Sequence, residues 1–173
     1  MRALNLGAGH ELRPGTVNVD RRRGPGVHVV ADPRRLPFPD GVFLEIRAAS
    51  VLERARDPYA VLDEIHRVLR GTGRVEIRVP APLSVWGQLD RGHAFLADLK
   101  LWRGILEGYF DRVRVSSEGS RYRDSGLLRG ITRLLVGVLG WHELAEIWRF
   151  DCREKLTLPQ RKHVPSWLED GHG

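Results

Sequence analysis

The chain has 173 residues, is 42% apolar and 29% charged, and carries a formal net charge of +6. That length supports one hydrophobic core and is short for two, and its longest apolar run, within Leu134 to Trp141, is too brief to span a bilayer. The positive charge invites a nucleic-acid reading, but basic and acidic residues are interleaved, 14 to 10 over residues 1–80 and 14 to 12 over 81–173, so nucleic acid is not the favoured partner.

In chain order, "RALNL" (2–6), "VNV" (17–19) and "VHVVA" (27–31) read as short strands. The start is directly strand-like, so no signal peptide is expected. "DPRRLPFPDG" (32–41) is a loop, because its three prolines forbid a helix. "FLEIRAAS" (43–50) is a fourth strand. Asp57-Pro58 reads as an N-cap followed by Pro at the first helical position, and Val61, Leu62, Ile65, Val68 and Leu69 form a helical stripe that Gly71 stops. The helix is therefore expected over 58–70, followed by a strand at 74–80. A second helix fits 95–108, a strand 110–115, a third helix 126–140 and a last strand 148–158, leaving a polar tail over 159–173.

This order is that of an α/β protein with a mostly parallel sheet. Parallel strands need a crossover, usually a helix, yet the first three links are too short or too proline-rich to hold one. The strands also alternate. Leu44 and Ile46 stand against Glu45 and Arg47; Val75, Ile77 and Val79 stand against Arg74, Glu76 and Arg78. One sheet face is expected to be apolar, under the helices at 58–70 and 95–108. The other is expected to be polar, thinly covered, and paired between Glu45, Arg47, Glu76 and Arg78 across strands. Such a face, with the helix at 126–140, suggests a homodimer.

"LNLGAGHELRPGTVNVD" (4–20) is a strand, a Gly-x-Gly loop, a strand and an acid. Gly7 and Gly9 permit a sharp turn and close approach to a ligand, or simply a tight turn. Asp20, ending the second strand, is placed to accept ribose hydroxyls. A dinucleotide fits poorly. The third glycine of its fingerprint is replaced by Leu12, Asp20 follows Gly7 too closely, and no helix N-terminus is on offer for a pyrophosphate.

The ordered set "LNLGAG" (4–9), Asp20 of "VNVD", "ADPRRLPFPDGVF" (31–43), "SVLERARDPYAVLDEIHRVLRGTGRVEIRVP" (50–80) and "DRGHAF" (90–95) resembles the class I S-adenosylmethionine-dependent methyltransferases, in particular small ones with a shortened first crossover. The resemblance covers residues 1–80 well and 90–115 loosely. It implies a Rossmann-like, mostly parallel sheet of about seven strands, with reduced helical cover on one face. It implies S-adenosylmethionine as cofactor, held by Leu6, Gly7, Ala8, Gly9, Asp20, Arg21, Ala31, Asp32, Pro33 and Ser50. Asp32 would approach the adenine amino group, Arg21 would lie along the adenine, and Ser50 would sit beside the methionine part. This cofactor has no phosphate, so a short glycine loop can serve it without a helix.

His93 is the best candidate for a general base, because it follows the fifth strand on the C-terminal side of the sheet, and Asp90 could orient it; the alternative is a structural or exposed histidine. His10 reads as a surface loop residue. The seven His and Cys152 show no metal-ligand spacing, so no metal is expected. The lone Cys152 excludes an internal disulfide and fits a cytoplasmic setting. The chain departs from the family at Asn5, where an acid is common, at Ser50 and Arg54, where many relatives carry His, and at Thr72, where a second Gly is common. These departures bear on the acceptor, which is expected to be a small metabolite, a sugar or a lipid head group rather than RNA. They also keep a non-catalytic cofactor-binding or partner subunit in view, with another kind of nucleotide binder behind it.

Overall fold

The computed structural model describes residues 3–82, 92–118 and 147–159. Seven strands form one sheet, in the order β3-β2-β1-β4-β5-β7-β6. They are β1 (Ala3–Leu6), β2 (Val17–Asp20), β3 (Val29–Val30), β4 (Phe43–Ala49), β5 (Leu69–Pro80), β6 (Phe110–Glu118) and β7 (Ile147–Lys155). The first five are parallel; β7 runs antiparallel between β5 and β6. Two helices, α1 (Pro58–Val68) and α2 (Leu99–Leu106), complete the described regular structure with a 3-10 turn at Leu52–Arg54. No described helix is long and apolar enough to cross a membrane. The helix expected at 126–140 and the tail after 159 lie outside the described residues.

The alternation read from the sequence decides which side of the sheet is which. Leu4, Ile46, Val75 and Cys152 are successive register partners, as are Leu6, Ala48, Ile77 and Phe150. Both rows are buried, in one core with Val61, Leu62, Ile65 and Val68 of α1 and Trp102, Ile105 and Leu106 of α2. Each such aliphatic side chain removed from water contributes about 1.5–3 kcal/mol. The two helices therefore cover the apolar face.

The helices are shorter than expected, for local reasons. Asp57 caps α1 by accepting from the Ala60 amide, but the helix ends at Val68. Leu69 turns extended and pairs with Phe43, so β5 begins before Gly71. Lys155 of β7 donates to the carbonyl oxygens of His66 and Leu69 and satisfies that helix end. Asp98 caps α2 by accepting from the Leu101 amide. Residues 95–98 thus stand outside the helix, with Phe95 packed edge-on against Trp102 at 5.2 Å.

On the opposite face, register places Asn18, Asn5, Arg47, Glu76, Asp151 and Arg114 side by side across six strands. The expected cross-strand pairs are present: Arg47 with Glu76 at 3.2 Å and Arg74 with Glu45 at 3.0 Å. This face is not uniformly open. Over β1 and β2 the link 7–16, which contains no helix, folds back upon it. Asn5 donates to Asn18 Oδ1 and to the Glu11 carbonyl, both at 2.8 Å. Asn18 Oδ1 also accepts from the Arg13 amide at 3.1 Å, and Asn18 Nδ2 donates to the Arg13 carbonyl at 3.3 Å. The Glu11 carboxylate then reaches Arg47 at 2.9 Å. As a result Asn5, Asn18 and Arg47 are buried, whereas the Asp151 and Arg153 side chains remain 41% and 48% exposed.

Two carboxamides thus supply the hydrogen-bond partners that a crossover helix would supply internally. Asn18→Ala should lower unfolding stability by about 1–3 kcal/mol, because buried donors and acceptors lose partners. Urea denaturation measures the loss, and faster hydrogen exchange of the Arg13 amide would locate it in the 7–16 link.

Candidate functional site

The parallel strands β1, β2, β3 and β4 end at one edge of the sheet, and a cavity of about 530 Å³ opens there. Its floor is Leu6 and Gly7. Gly7 has φ +70°, and a Cβ at that position would lie 2.4 Å from Val51 Cγ2. The chain can therefore turn and pack against the segment after β4 only with glycine here.

Asp20 and Asp32 stand on one flank. Asp20 accepts from the Gly9 amide through Oδ2 and from the Arg22 amide through Oδ1, each at 2.8 Å. These bonds fix the carboxylate and leave each oxygen a further lone pair. The Ala31 amide donates to the Asp20 carbonyl at 3.0 Å, which sets the end of β3 beside it. Asp32 is gripped by Arg34. Oδ1 accepts from the Arg34 amide at 2.9 Å, and Oδ2 accepts from Nη2 at 2.7 Å. The Arg34 guanidinium, against a smaller opposing effect of burial, holds the Asp32 carboxyl at about 2, below its ordinary 3.8.

The proline-rich loop that carries Asp32 is anchored from α1. The Leu36 amide donates to Glu64 at 2.6 Å. Arg67 donates to the carbonyls of Leu36 and Phe38, to Glu64 and to Asp40. Those acids push the Arg67 pKa up, and the hydrogen-bonded Arg67 guanidinium in turn holds the Glu64 carboxyl below its ordinary range. The loop needs no secondary structure of its own to hold position.

The far flank follows β4. Ser50 has φ +55°, a left-handed conformation uncommon for a residue with a side chain, and its amide donates to the Arg78 carbonyl at 3.1 Å. Val51, Arg54, Ala55 and Arg56 continue the wall, and Ala94 closes it. Ala94 and Phe95 are tied there by donating to the Glu53 carbonyl at 2.7 and 2.9 Å.

Of the residues singled out in the sequence, Leu6, Gly7, Asp20 and Arg21 line the cavity, as do Ala31, Asp32, Pro33 and Ser50. Ala8 and Gly9 do not. Ala8 is buried and donates to the Val19 carbonyl, and the Gly9 amide is committed to Asp20. His93 is half-buried beside the lining Ala94 but is not itself part of the wall. His10 is exposed, and Asp90 lies outside the described residues. Sequence reasoning passed over Arg34, Val51, Ala55, Arg56 and Ala94 as site residues. The signal for Arg34 was its position two residues after Asp32, within reach of an Asx-type turn. The lining fits a nucleoside joined to a charged, phosphate-free group. It offers fixed carboxylates for hydroxyl and amino donors, and no helix starts at the glycine loop to receive a phosphate.

Residues 5–77 match the family model described as a methyltransferase domain. An S-adenosylmethionine-dependent methyltransferase from Archaeoglobus fulgidus shares the fold with a TM-score of 0.60 and 17% identity, over 88% of this chain and 85% of that one. One from Thermotoga maritima has a TM-score of 0.62 and 14% identity over 89% and 82%. A Haloferax volcanii methyltransferase in complex with the Trm112 activator has a TM-score of 0.59 and 14% identity over 88% and 82%. No curated protein matches the chain by sequence.

Arg34→Gln should return the Asp32 carboxyl toward 3.8 from about 2, followed by NMR titration of its side-chain carbon. The sign is that of a depressed acid: the pair's contribution to stability is complete above pH 3.8 and is lost as pH falls toward 2. The variant should lack that acid-side dependence.

Proposed function

We propose that this chain is a class I S-adenosylmethionine-dependent methyltransferase, a reading supported by the family match over residues 5–77 and by the fold it shares with such enzymes. The observation that carries the reading is the pairing of Asp20 and Asp32 at adjacent strand ends, flanking one cavity that the glycine loop floors. Asp20 accepts the two ribose hydroxyls through lone pairs left by Gly9 and Arg22. Asp32, held ionised by Arg34, accepts from the adenine amino group, while Arg21, Ala31 and Pro33 border the base. Leu6 and Gly7 let the chain approach the cofactor closely, and Ala8 and Gly9 shape the turn behind them. Ser50 faces the methionine end.

When bound, the cofactor would supply a methyl group on a sulfonium, an activated carbon open to in-line displacement. The protein's part is alignment and exclusion of water, provided by the wall from Ser50 to Arg56 and by Ala94. His93, half-buried next to Ala94, takes a proton from acceptors that must lose one, with Asp90 orienting it. The acceptor is a small metabolite, a sugar or a lipid head group rather than RNA, because the described basic residues form no separate nucleic-acid module. The chain acts in the cytoplasm as one domain over 1–158. It pairs through the open part of the polar sheet face as a homodimer, and a light-scattering mass of a single chain would remove that element.

Calorimetry should show S-adenosylmethionine and S-adenosylhomocysteine binding, and no heat with NAD. Asp20→Ala should weaken the first two by at least about tenfold, since each hydrogen bond to a charged group is worth about 1.5–3 kcal/mol. Absence of heat and of thermal shift with both ligands would sink the cofactor assignment.

A further inference from the structure

Arginines outnumber acids in the lining of the cavity. Two acids line it, Asp20 and Asp32, against four arginines, Arg21, Arg34, Arg54 and Arg56. Arg34 is spent on Asp32, with Nη2 and Oδ2 2.7 Å apart. Arg21 follows Asp20 at the adenosine end. Arg54 and Arg56 lie on the segment between β4 and α1.

That segment is rigidly held. The Arg54 amide donates to the Val51 carbonyl and the Ala55 amide to that of Leu52, both at 3.2 Å. Beyond it Asp57 is fixed as the N-cap of α1. The buried Glu53 carboxylate lies 4.0 Å from Arg54 Nε and backs that side chain from within. The side chain of Arg54 is still 45% exposed, and Arg56 is exposed. Two guanidinium groups are therefore presented to the cavity from a preorganised turn.

Glu53 and the cofactor's own carboxylate offset part of this charge, but two guanidinium groups lining one cavity still repel each other. An anion between them reverses the sign. Carboxylates and phosphates match the planar fork of arginine. We infer that Arg54 and Arg56 form the acceptor subsite, and that the acceptor is a small molecule bearing a carboxylate or phosphate group. The inference rests on the cofactor occupying this cavity as proposed above. A polynucleotide acceptor is less well matched. Arg47, Arg74, Arg78 and Arg153 lie on the sheet face and are engaged with Glu76, Glu45 and Asp151, so they do not extend a phosphate track from the cavity.

The test compares the wild type with the double variant Arg54→Gln, Arg56→Gln, both saturated with S-adenosylhomocysteine. Inorganic phosphate and acetate are titrated by calorimetry at constant ionic strength. At least one of the two should bind the wild type, and the variant should bind it about tenfold or more weakly, the effect of losing charge-assisted hydrogen bonds. S-adenosylhomocysteine and 5′-methylthioadenosine should bind both proteins alike, which also shows the variant folded. Equal anion binding by both proteins, or by neither, would overturn the inference. So would a loss of S-adenosylhomocysteine binding with methylthioadenosine binding kept, which would assign the arginines to the cofactor's own carboxylate. An RNA oligonucleotide that binds more tightly than either anion, and depends on the same arginines, would overturn it in favour of nucleic acid. Failure of S-adenosylhomocysteine to bind the wild type strikes instead at the cofactor assignment beneath it.

Discussion

The contact between Asn5 and Asn18 is the constraint from which the rest of the site follows. Both residues are buried on the polar side of the sheet, where an unpaired carboxamide would cost more than its bond returns. Each instead serves the backbone of the 7–16 link, at Glu11 and at Arg13. A link without a helix has many unsatisfied backbone groups, and these two side chains answer several of them. The register of β1 and β2 places Asn5 opposite Asn18, and the same register sets Leu6 opposite Val19. The glycine loop and Asp20 therefore leave the sheet side by side, and the Gly9 amide can reach the Asp20 carboxylate.

The second flank is fixed by a different device. The loop through Asp32 contains no regular structure after β3, and α1 holds it through Glu64 and Arg67. The helix thus fixes the Asp32 flank of the cavity although it contributes no residue to the lining. Arg34 then fixes the carboxylate of Asp32 as the loop fixes its backbone. Binding groups that are set before the ligand arrives lose little freedom on binding.

The strands and the sidedness of the sheet were legible because alternation is a property of short sequence windows: Arg47 and Glu76 announced their pairing, and Ile46 and Val75 their burial. The ends of the helices were not. Val68 is followed by Leu69, an equally apolar residue, and only the distant pairing of Leu69 with Phe43 makes it strand. Phe95 fits a helical stripe, yet Asp98 captures the helix start three residues later. At the site, Asp20, Asp32 and the glycines were readable from position at strand ends. Arg56 was not, because nothing in its neighbours distinguishes an arginine facing a cavity from one facing water. The link 7–16 was seen to lack a helix, but its replacement by Asn5 and Asn18 needs the two strands side by side to become visible.

The place of β7 in the sheet has a consequence for synthesis. Among the described strands β6 pairs only with β7, and β7 is the last of them to leave the ribosome. Until residues 147–155 have emerged, β6 has no partner in the sheet and the far edge of β5 is unpaired. The nascent chain can assemble β1 to β5 and α1 in order, but it cannot close the core around Trp148 and Phe150 until those residues have emerged. A truncation just before Ile147 would thus remove far more than one strand: it would leave two exposed edges, the template for pairing between chains.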